Sequence, residues 1–211
     1  ISGRPEITEE RKIRPHDKQG LKIMSMGLLV SRDEAVVWRG PMLHGAITQF
    51  LRDTEWGPLD YLVIDMPPGT GDIALTLSQL LPVTGAVVVC TPQDVALLDA
   101  NKAIAMFQKV KIPILGIVEN MSGFECPDCG KRHDIFGRGG ARARAEELAV
   151  PFLGDVPIQL AVRLSGDSGH MDELFENPLV SPPLHRICYQ LVKSLAQSVA
   201  QRPSLPTLPV L

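Results

Sequence analysis

Residues 62–72 read Leu-Val-Ile-Asp-Met-Pro-Pro-Gly-Thr-Gly-Asp and carry more information than any other part of the chain. The apolar run up to Ile64 is typical of a strand buried on both faces of a sheet, and it stops at the carboxylate of Asp65. The prolines and glycines that follow force the backbone to turn, and Asp72 stands where a capping residue opens a helix. We therefore predict a strand over 61–65, a tight loop and then a helix.

The chemistry of this loop favours magnesium and phosphate as ligands. Asp65 follows a parallel strand at its carboxyl end, where open α/β sheets bind ligands, and it can hold Mg²⁺ directly or through water. Gly69 lets backbone N–H groups approach a phosphate, while Pro67 and Pro68 make the turn move as one piece. An aspartate that only caps the next turn is the competing interpretation, and the glycine- and proline-rich run argues against it. The segment looks like a Walker B strand that leads into a nucleotide-sensing switch loop.

Composition sets broad limits on the function. The 211 residues suffice for one sizeable core, and a net charge of −3 gives no electrostatic reason to expect nucleic acid as a partner. No apolar run has the length to cross a membrane, and the charged first twenty residues lack the apolar centre of a secretory signal. The four cysteines fit a reducing compartment. We predict a cytoplasmic protein with no nucleic-acid or membrane partner.

Strands and helices alternate along the chain, which predicts an α/β fold with a doubly wound, mostly parallel sheet. Strands are expected over 21–30, 61–65, 85–90, 113–118 and 152–154. Helices are expected over 45–56 and 72–81, over a stretch that ends near residue 110, and over 139–149 and 184–200. Residues 203–211 contain three prolines and are predicted to form a disordered tail, which leaves 1–202 as a single domain.

The run Cys126-Pro127-Asp128-Cys129-Gly130 is the second strong signal. Cys-x-x-Cys followed by glycine makes a tight knuckle in which both thiolates point at one metal, but two thiolates are half of a tetrahedral set. Cys90 and Cys188 have the apolar surroundings of core residues, and His133 is more typical of a solvated loop than of a third ligand. The simplest completion is a second copy of the chain that donates its own pair across a two-fold axis. A structural zinc knuckle and a redox pair are the alternatives.

Asn120 and the pair Pro157-Ile158 follow predicted strands on the same carboxyl edge of the sheet. An amide side chain offers the donor and acceptor that suit the edge of adenine, and a Pro-Ile turn offers an apolar wall. Ordinary turn chemistry explains both equally well, and the residues alone favour it.

Together these motifs resemble the Mrp/ApbC-type iron–sulfur cluster carrier proteins, a MinD-like branch of the P-loop ATPases. The resemblance runs from about Trp38 to Gly169 and fades where His170-Met171 replaces the family's proline-containing turn. It is carried by the runs 38–42, 59–72, 91–94, 116–122, 126–130, 135–137 and 139–141.

The resemblance implies a role for each candidate residue. Asp65 would belong to the Walker B/switch II strand and Asp72 to the switch, which makes them the two catalytic candidates. Pro67 and Gly69 would lie in the nucleotide loop. The adenine pocket would be lined by Asn120, Pro157 and Ile158, and a 4Fe–4S cluster that bridges two subunits would be held by Cys126 and Cys129.

The same resemblance implies a homodimer that uses ATP and Mg²⁺ and passes 4Fe–4S clusters to apo-proteins. The family's phosphate loop, with its two lysines, is missing here, since the chain starts at Ile1 and holds no Gly-x-x-x-x-Gly-Lys-Ser/Thr run. We therefore expect an N-terminally truncated P-loop domain that lacks its first strand. By itself it should bind ATP poorly and hydrolyse it hardly at all, because the loop supplies most of the phosphate cradle.

Two other functions compete with this one. The first is a non-catalytic interaction module in which the knuckle holds zinc and the nucleotide fold is vestigial. The second is a MinD- or ParA-like positioning ATPase, which ranks last because the proline-rich C-terminus offers neither a basic amphipathic helix nor lysines that face DNA.

Overall fold

The computed structural model describes residues 3–29, 40–67 and 71–200, so the predicted tail over 203–211 lies outside the described residues. The chain divides into two compact units, Ile1–Pro82 and Val83–Leu211. Within the described ranges, no helix combines the length and the apolar character needed to cross a bilayer.

The N-terminal unit contains a small hairpin and two α-helices. Strands β1 (His16–Lys18) and β2 (Leu21–Ile23) pair antiparallel, and a short 3-10 helix follows at Met26–Leu28. The predicted strand over 21–30 is therefore confirmed only at its start. Helices α1 (Gly40–Asp53) and α2 (Gly71–Leu80) match the two predicted helices, although α1 begins earlier than its apolar stripe indicates.

The prediction of a buried strand over 61–65 is wrong for this structure. Residues 61–67 have no regular secondary structure, and Val63 is 89% exposed. An extended apolar segment becomes a sheet strand only when neighbouring strands accept and donate its backbone hydrogen bonds. The sheet of the N-terminal unit, as far as the described residues go, consists of β1 and β2 alone and offers this segment no partner.

The C-terminal unit is built on a mostly parallel sheet. Strand β4 (Ile114–Glu125) pairs in parallel with β3 (Ala86–Cys90) on one side and with β6 (Phe152–Ile158) on the other. A two-residue strand, β5 (Arg132–His133), pairs antiparallel with the far end of β4. Both long strands extend beyond their predicted limits, because β4 and β6 continue to bond each other past the end of their apolar runs.

Helices cover both faces of this sheet, as predicted. Helices α3 (Asp94–Lys109) and α4 (Gly140–Glu147) enclose the main core together with β3 and β4, and Ile104 lies at its centre with 1% exposure. Helix α6 (Ser181–Ala200) packs on β6 and β4. A side chain at Gly154 would place its Cβ 2.8 Å from Ile187 Cγ1, so the glycine is what lets α6 approach the sheet.

Two helical segments of the C-terminal unit were not expected from the sequence. Helix α5 (Leu160–Ser168) and a 3-10 helix at Met171–Phe175 pack against each other after β6.

The prediction that Cys188 lies in the core is wrong, because this residue is exposed on α6. Its neighbours Leu184, Ile187 and Leu191 are partly buried as predicted, so the apolar stripe is narrower than the sequence indicates.

We predict that Ile104→Ala lowers the free energy of unfolding by about 3 kcal/mol, because it leaves a cavity in a close-packed core. Urea denaturation followed by circular dichroism measures this loss. Val95→Ala on the same helix is the control, since Val95 is 74% exposed and its truncation should cost less than about 0.5 kcal/mol. Equal effects of the two substitutions would contradict the placement of the core.

Candidate metal centre and nucleotide edge

Cys126 and Cys129 lie at the tip of the hairpin that joins β4 to β5. The strands that form its base pair Phe124 with His133 and Glu125 with Arg132. The tip is closed by two backbone bonds: Cys126 N–H donates to the Lys131 carbonyl at 3.0 Å, and Gly130 N–H donates to the Cys126 carbonyl at 2.8 Å. Gly130 has φ +67°, a backbone conformation that explains the glycine after the second cysteine. The tight turn of the predicted knuckle is therefore present.

The knuckle favours the thiolate form of its first cysteine. The backbone N–H groups of Asp128 and Cys129 point at Cys126 and lower its pKa, and a hydrogen bond from the Cys129 side chain adds to this effect. Cys126 is partly exposed and Cys129 is exposed. A soft metal ion or an iron–sulfur cluster can therefore reach two sulfur ligands, one of which is already biased towards deprotonation.

The other cysteines lie outside this site. Cys90 is buried at the end of β3, where burial and then the charge of Glu119 raise its pKa to about 11. Cys188 is exposed on α6, and His133 is an exposed residue of β5. Across the described ranges, no group of three or more His, Cys, Asp or Glu side chains is placed to hold a metal ion. Within the described residues, the knuckle therefore offers two thiol ligands, and no third ligand lies beside them.

The structure brings the three candidate adenine residues together. Asn120 lies within β4, opposite Val156 of β6, so Pro157 and Ile158 are the next residues on the neighbouring strand. Asn120, Pro157 and Ile158 are all partly buried, and Asn120 Oδ1 accepts a hydrogen bond from the Met121 N–H at 3.0 Å. This bond fixes the orientation of the Asn120 side-chain amide. Pro157 and Ile158 lie in strand β6 rather than in the predicted turn.

The candidate phosphate and magnesium residues belong to the N-terminal unit. Asp65 and Pro67 lie in the irregular segment 61–67 with exposed side chains. Gly69 lies outside the described residues. Asp72 is in the first turn of α2, but its side chain is likewise outside what the structure describes.

Sequence reasoning missed one residue that organises this region, the buried Glu119 of β4. Its exposure is 1%, and its carboxylate accepts hydrogen bonds from Ser122 Oγ at 2.5 Å and from the backbone N–H groups of Gly139 at 2.8 Å and Ala141 at 2.9 Å. Gly139 is the N-cap of α4 and has no side chain with which to cap it. An acid inside an apolar strand, and a helix that opens on two glycines, are the signals that together point to this contact.

A family model and several curated proteins match the sequence of this chain. A family model described as the NUBPL iron-transfer P-loop NTPase, in the ParA group, matches residues 1–195. The chain is 47% identical over 208 residues to the iron–sulfur cluster carrier protein of Deinococcus radiodurans, which aligns 98% of this chain with 57% of that protein. It is 50% identical over 169 residues to the iron–sulfur cluster transfer protein NUBPL of Mus musculus, with 80% and 53% of the two chains covered. The chain thus spans about half the length of the curated relatives it matches.

Solved structures with a similar fold include two nucleotide-related proteins. A nucleotide-binding protein from Archaeoglobus fulgidus, in complex with ADP, superposes with a TM-score of 0.69 at 37% identity and covers 85% of this chain and 69% of that one. The cell division ATPase MinD of Pyrococcus furiosus superposes with a TM-score of 0.52 at 20% identity, covering 75% and 63%. The second likeness concerns the fold alone. The predicted MinD-like α/β fold of the P-loop NTPases is confirmed.

We predict that the thiols differ sharply in reactivity towards iodoacetamide at pH 8. The thiolate is the reactive form, so the lowered pKa of Cys126 speeds its alkylation and makes the rate level off at a lower pH than for an ordinary cysteine. Cys90, buried and with a pKa of about 11, should stay unmodified until the protein is unfolded in urea. Mass spectrometry of timed samples measures both rates, and equal labelling of Cys90 and Cys126 in the folded protein would contradict the site described.

Proposed function

The chain belongs to the ParA/NUBPL family of iron-transfer P-loop NTPases, and we propose that it carries an iron–sulfur cluster on Cys126 and Cys129. The observation that supports this most is the exposed two-thiol knuckle at the hairpin tip. A cluster held at a surface, by few ligands from each chain, is easy to hand on to another protein. Apo iron–sulfur proteins are the recipients we propose.

We propose further that the cluster is of the 4Fe–4S type and bridges two copies of the chain. Such a cluster takes four cysteine thiolates, whereas the knuckle supplies two and Cys90 is buried and protonated at neutral pH. A second copy related by a two-fold axis supplies the missing pair with the same geometry. The exposure of Cys129 leaves room for that approach.

Exposed thiols of this kind fit a reducing compartment, and we place the protein in the cytoplasm.

Transfer is proposed to be coupled to ATP binding and hydrolysis with Mg²⁺. Asn120, Pro157 and Ile158 form a partly buried edge that fits a nucleobase, which the amide can recognise and the Pro-Ile pair can cover. The Asp65 carboxylate, in the loop before α2, is the candidate group for magnesium, and Asp72 is the candidate switch residue. When bound, MgATP supplies the free energy of phosphoryl transfer to water. The ADP complex of the Archaeoglobus fulgidus relative supports a nucleotide at this fold.

The first test is anaerobic reconstitution with iron and sulfide. The parent protein should take up about half of a 4Fe–4S cluster per chain, since each cluster is shared by two copies. Cys126→Ser and Cys129→Ser should each abolish uptake, as measured by visible absorption and by iron and acid-labile sulfide analysis. Cys188→Ser is the matched control, because Cys188 is exposed on α6 and should leave uptake unchanged.

The same analysis separates the carrier from the zinc-knuckle interaction module. Protein purified without oxygen that contains zinc and no acid-labile sulfide would favour the zinc module. Normal iron uptake by both cysteine variants would exclude the knuckle as the iron site.

The second test addresses Asp65 in the full-length protein. Asp65→Asn should lower the ATPase rate by about a hundredfold, because an amide is a much weaker magnesium ligand than a carboxylate. Phosphate release measures the rate, and metal uptake by Cys126 and Cys129 should stay normal. Asp60→Asn, an exposed aspartate just upstream, is the control and should retain the parent rate. Equal rates for Asp65→Asn and the parent would contradict the role proposed for Asp65.

A further inference from the structure

One buried carboxylate touches both ends of the segment that carries the two cysteines. Glu119 lies on β4, next to Asn120, and is among the largest fully buried side chains in the described part of the chain. Its partners are Ser122, just before the cysteine hairpin, and Gly139 and Ala141, just after it. The hairpin segment, residues 123–138, is therefore bracketed by bonds to a single side chain.

At the entry to the hairpin, the contact continues into the hairpin itself. Ser122 Oγ donates to Glu119 Oε1, and the Ser122 carbonyl accepts a hydrogen bond from Arg132 Nη2 at 3.0 Å. Arg132 is also the residue of β5 that pairs with Glu125, directly before Cys126. Its Nε donates to Asp134 at 3.2 Å. The chain of contacts from Glu119 through Ser122 and Arg132 thus reaches the base of the knuckle.

At the exit, Glu119 holds the start of α4. The Gly139 N–H donates to Oε1 and the Ala141 N–H donates to Oε2, so both oxygens of the carboxylate are occupied at the positive end of the helix. Gly139 has φ +80°, which turns the chain from the hairpin into the helix. Without the carboxylate, the buried Ala141 N–H and the partly buried Gly139 N–H would lose the acceptor they have here.

We propose that Glu119 is a positioning residue that fixes the cysteine hairpin and joins it mechanically to the nucleotide edge at Asn120. The proposal rests on the proposed function only for what the thiols hold and what Asn120 contacts. A shift of β4 at Asn120 moves the adjacent Glu119, and its three bonds pass that shift to both ends of the hairpin. The geometry of the thiol pair then follows the state of the strand edge.

The hydrogen bonds of Glu119 can be tested separately from its packing. Three donors converge on the carboxylate, and an ionised carboxylate is an acceptor at both oxygens. Glutamine has the same shape, but its NH₂ group can only donate, so at least one of the donors at Ser122, Gly139 and Ala141 loses its acceptor. Glu119→Gln therefore tests the bonds while leaving the volume of the core unchanged.

The experiment is hydrogen exchange by mass spectrometry on the full-length protein, together with Co²⁺ titration of the thiols. In Glu119→Gln, the amides of residues 122–141 should exchange about tenfold faster, while those of β3 and α3 keep the parent rate. The affinity for Co²⁺, followed by its thiolate charge-transfer absorption, should fall about tenfold, as is usual when a group that orients metal ligands is lost.

Two further variants separate positioning from general loss of stability. Ser122→Ala removes the entry contact alone and should speed exchange in residues 122–134 but not at the start of α4. Glu147→Gln makes the same chemical change on α4 in an exposed glutamate that pairs with Arg144, and it should match the parent in both measurements.

Failure of the positioning role and failure of the proposed function would give different results. Unchanged exchange over 122–141 in Glu119→Gln, or an equal increase in β3 and α3, would overturn the positioning role. A parent protein that binds neither Co²⁺ nor iron would defeat the cluster-carrier function, while the exchange data would still decide the role of Glu119.

Discussion

The C-terminal unit depends on the backbone hydrogen bonding of one strand, β4. It is the strand to which β3, β5 and β6 all pair, so the position of every other strand in this sheet is set relative to it. The strand also carries Asn120 at the candidate nucleotide edge and leads directly into Cys126 at the candidate metal centre. Because both sites extend from the same strand, neither can move independently of the backbone between them.

A buried acid on that strand carries a cost that its partners offset. Removing a carboxylate from water is unfavourable unless its oxygens receive hydrogen bonds, and Glu119 receives them from a hydroxyl group and from two N–H groups of a helix start. The arrangement also solves a problem for α4, whose first residues are glycines without capping side chains. The buried acid thus gains hydrogen-bond donors and the uncapped start of α4 gains an acceptor, although the two lie far apart in the sequence.

Much of the C-terminal unit could be predicted because its elements are determined locally. The apolar run of β3, the helical spacing of α3 and the Cys-x-x-Cys-Gly knuckle each specify their own conformation. The prediction of a strand over 61–65 was wrong because a strand is buried only where neighbouring strands pair with it, and the local sequence does not show whether such strands are there. The extension of β4 beyond Val118 was also missed, since pairing with β5 and β6 keeps it extended through polar residues. Glu119 was missed because the acid in an apolar strand and the glycines that open α4 are separate signals in the sequence, and only the fold shows that they meet.

The sheet pairing between β4 and β6 is interrupted after Asn120, and Phe124 resumes it opposite Ile158. Within this interruption, Met121 and Gly123 take left-handed backbone angles, with φ +58° and +77°. The part of β4 before the interruption pairs with β3 and β6, and the cysteine hairpin follows the interruption. Because the pairing of β4 with β6 up to Asn120 is complete before the interruption, a change in the length of the hairpin leaves the register of that part of the sheet unchanged.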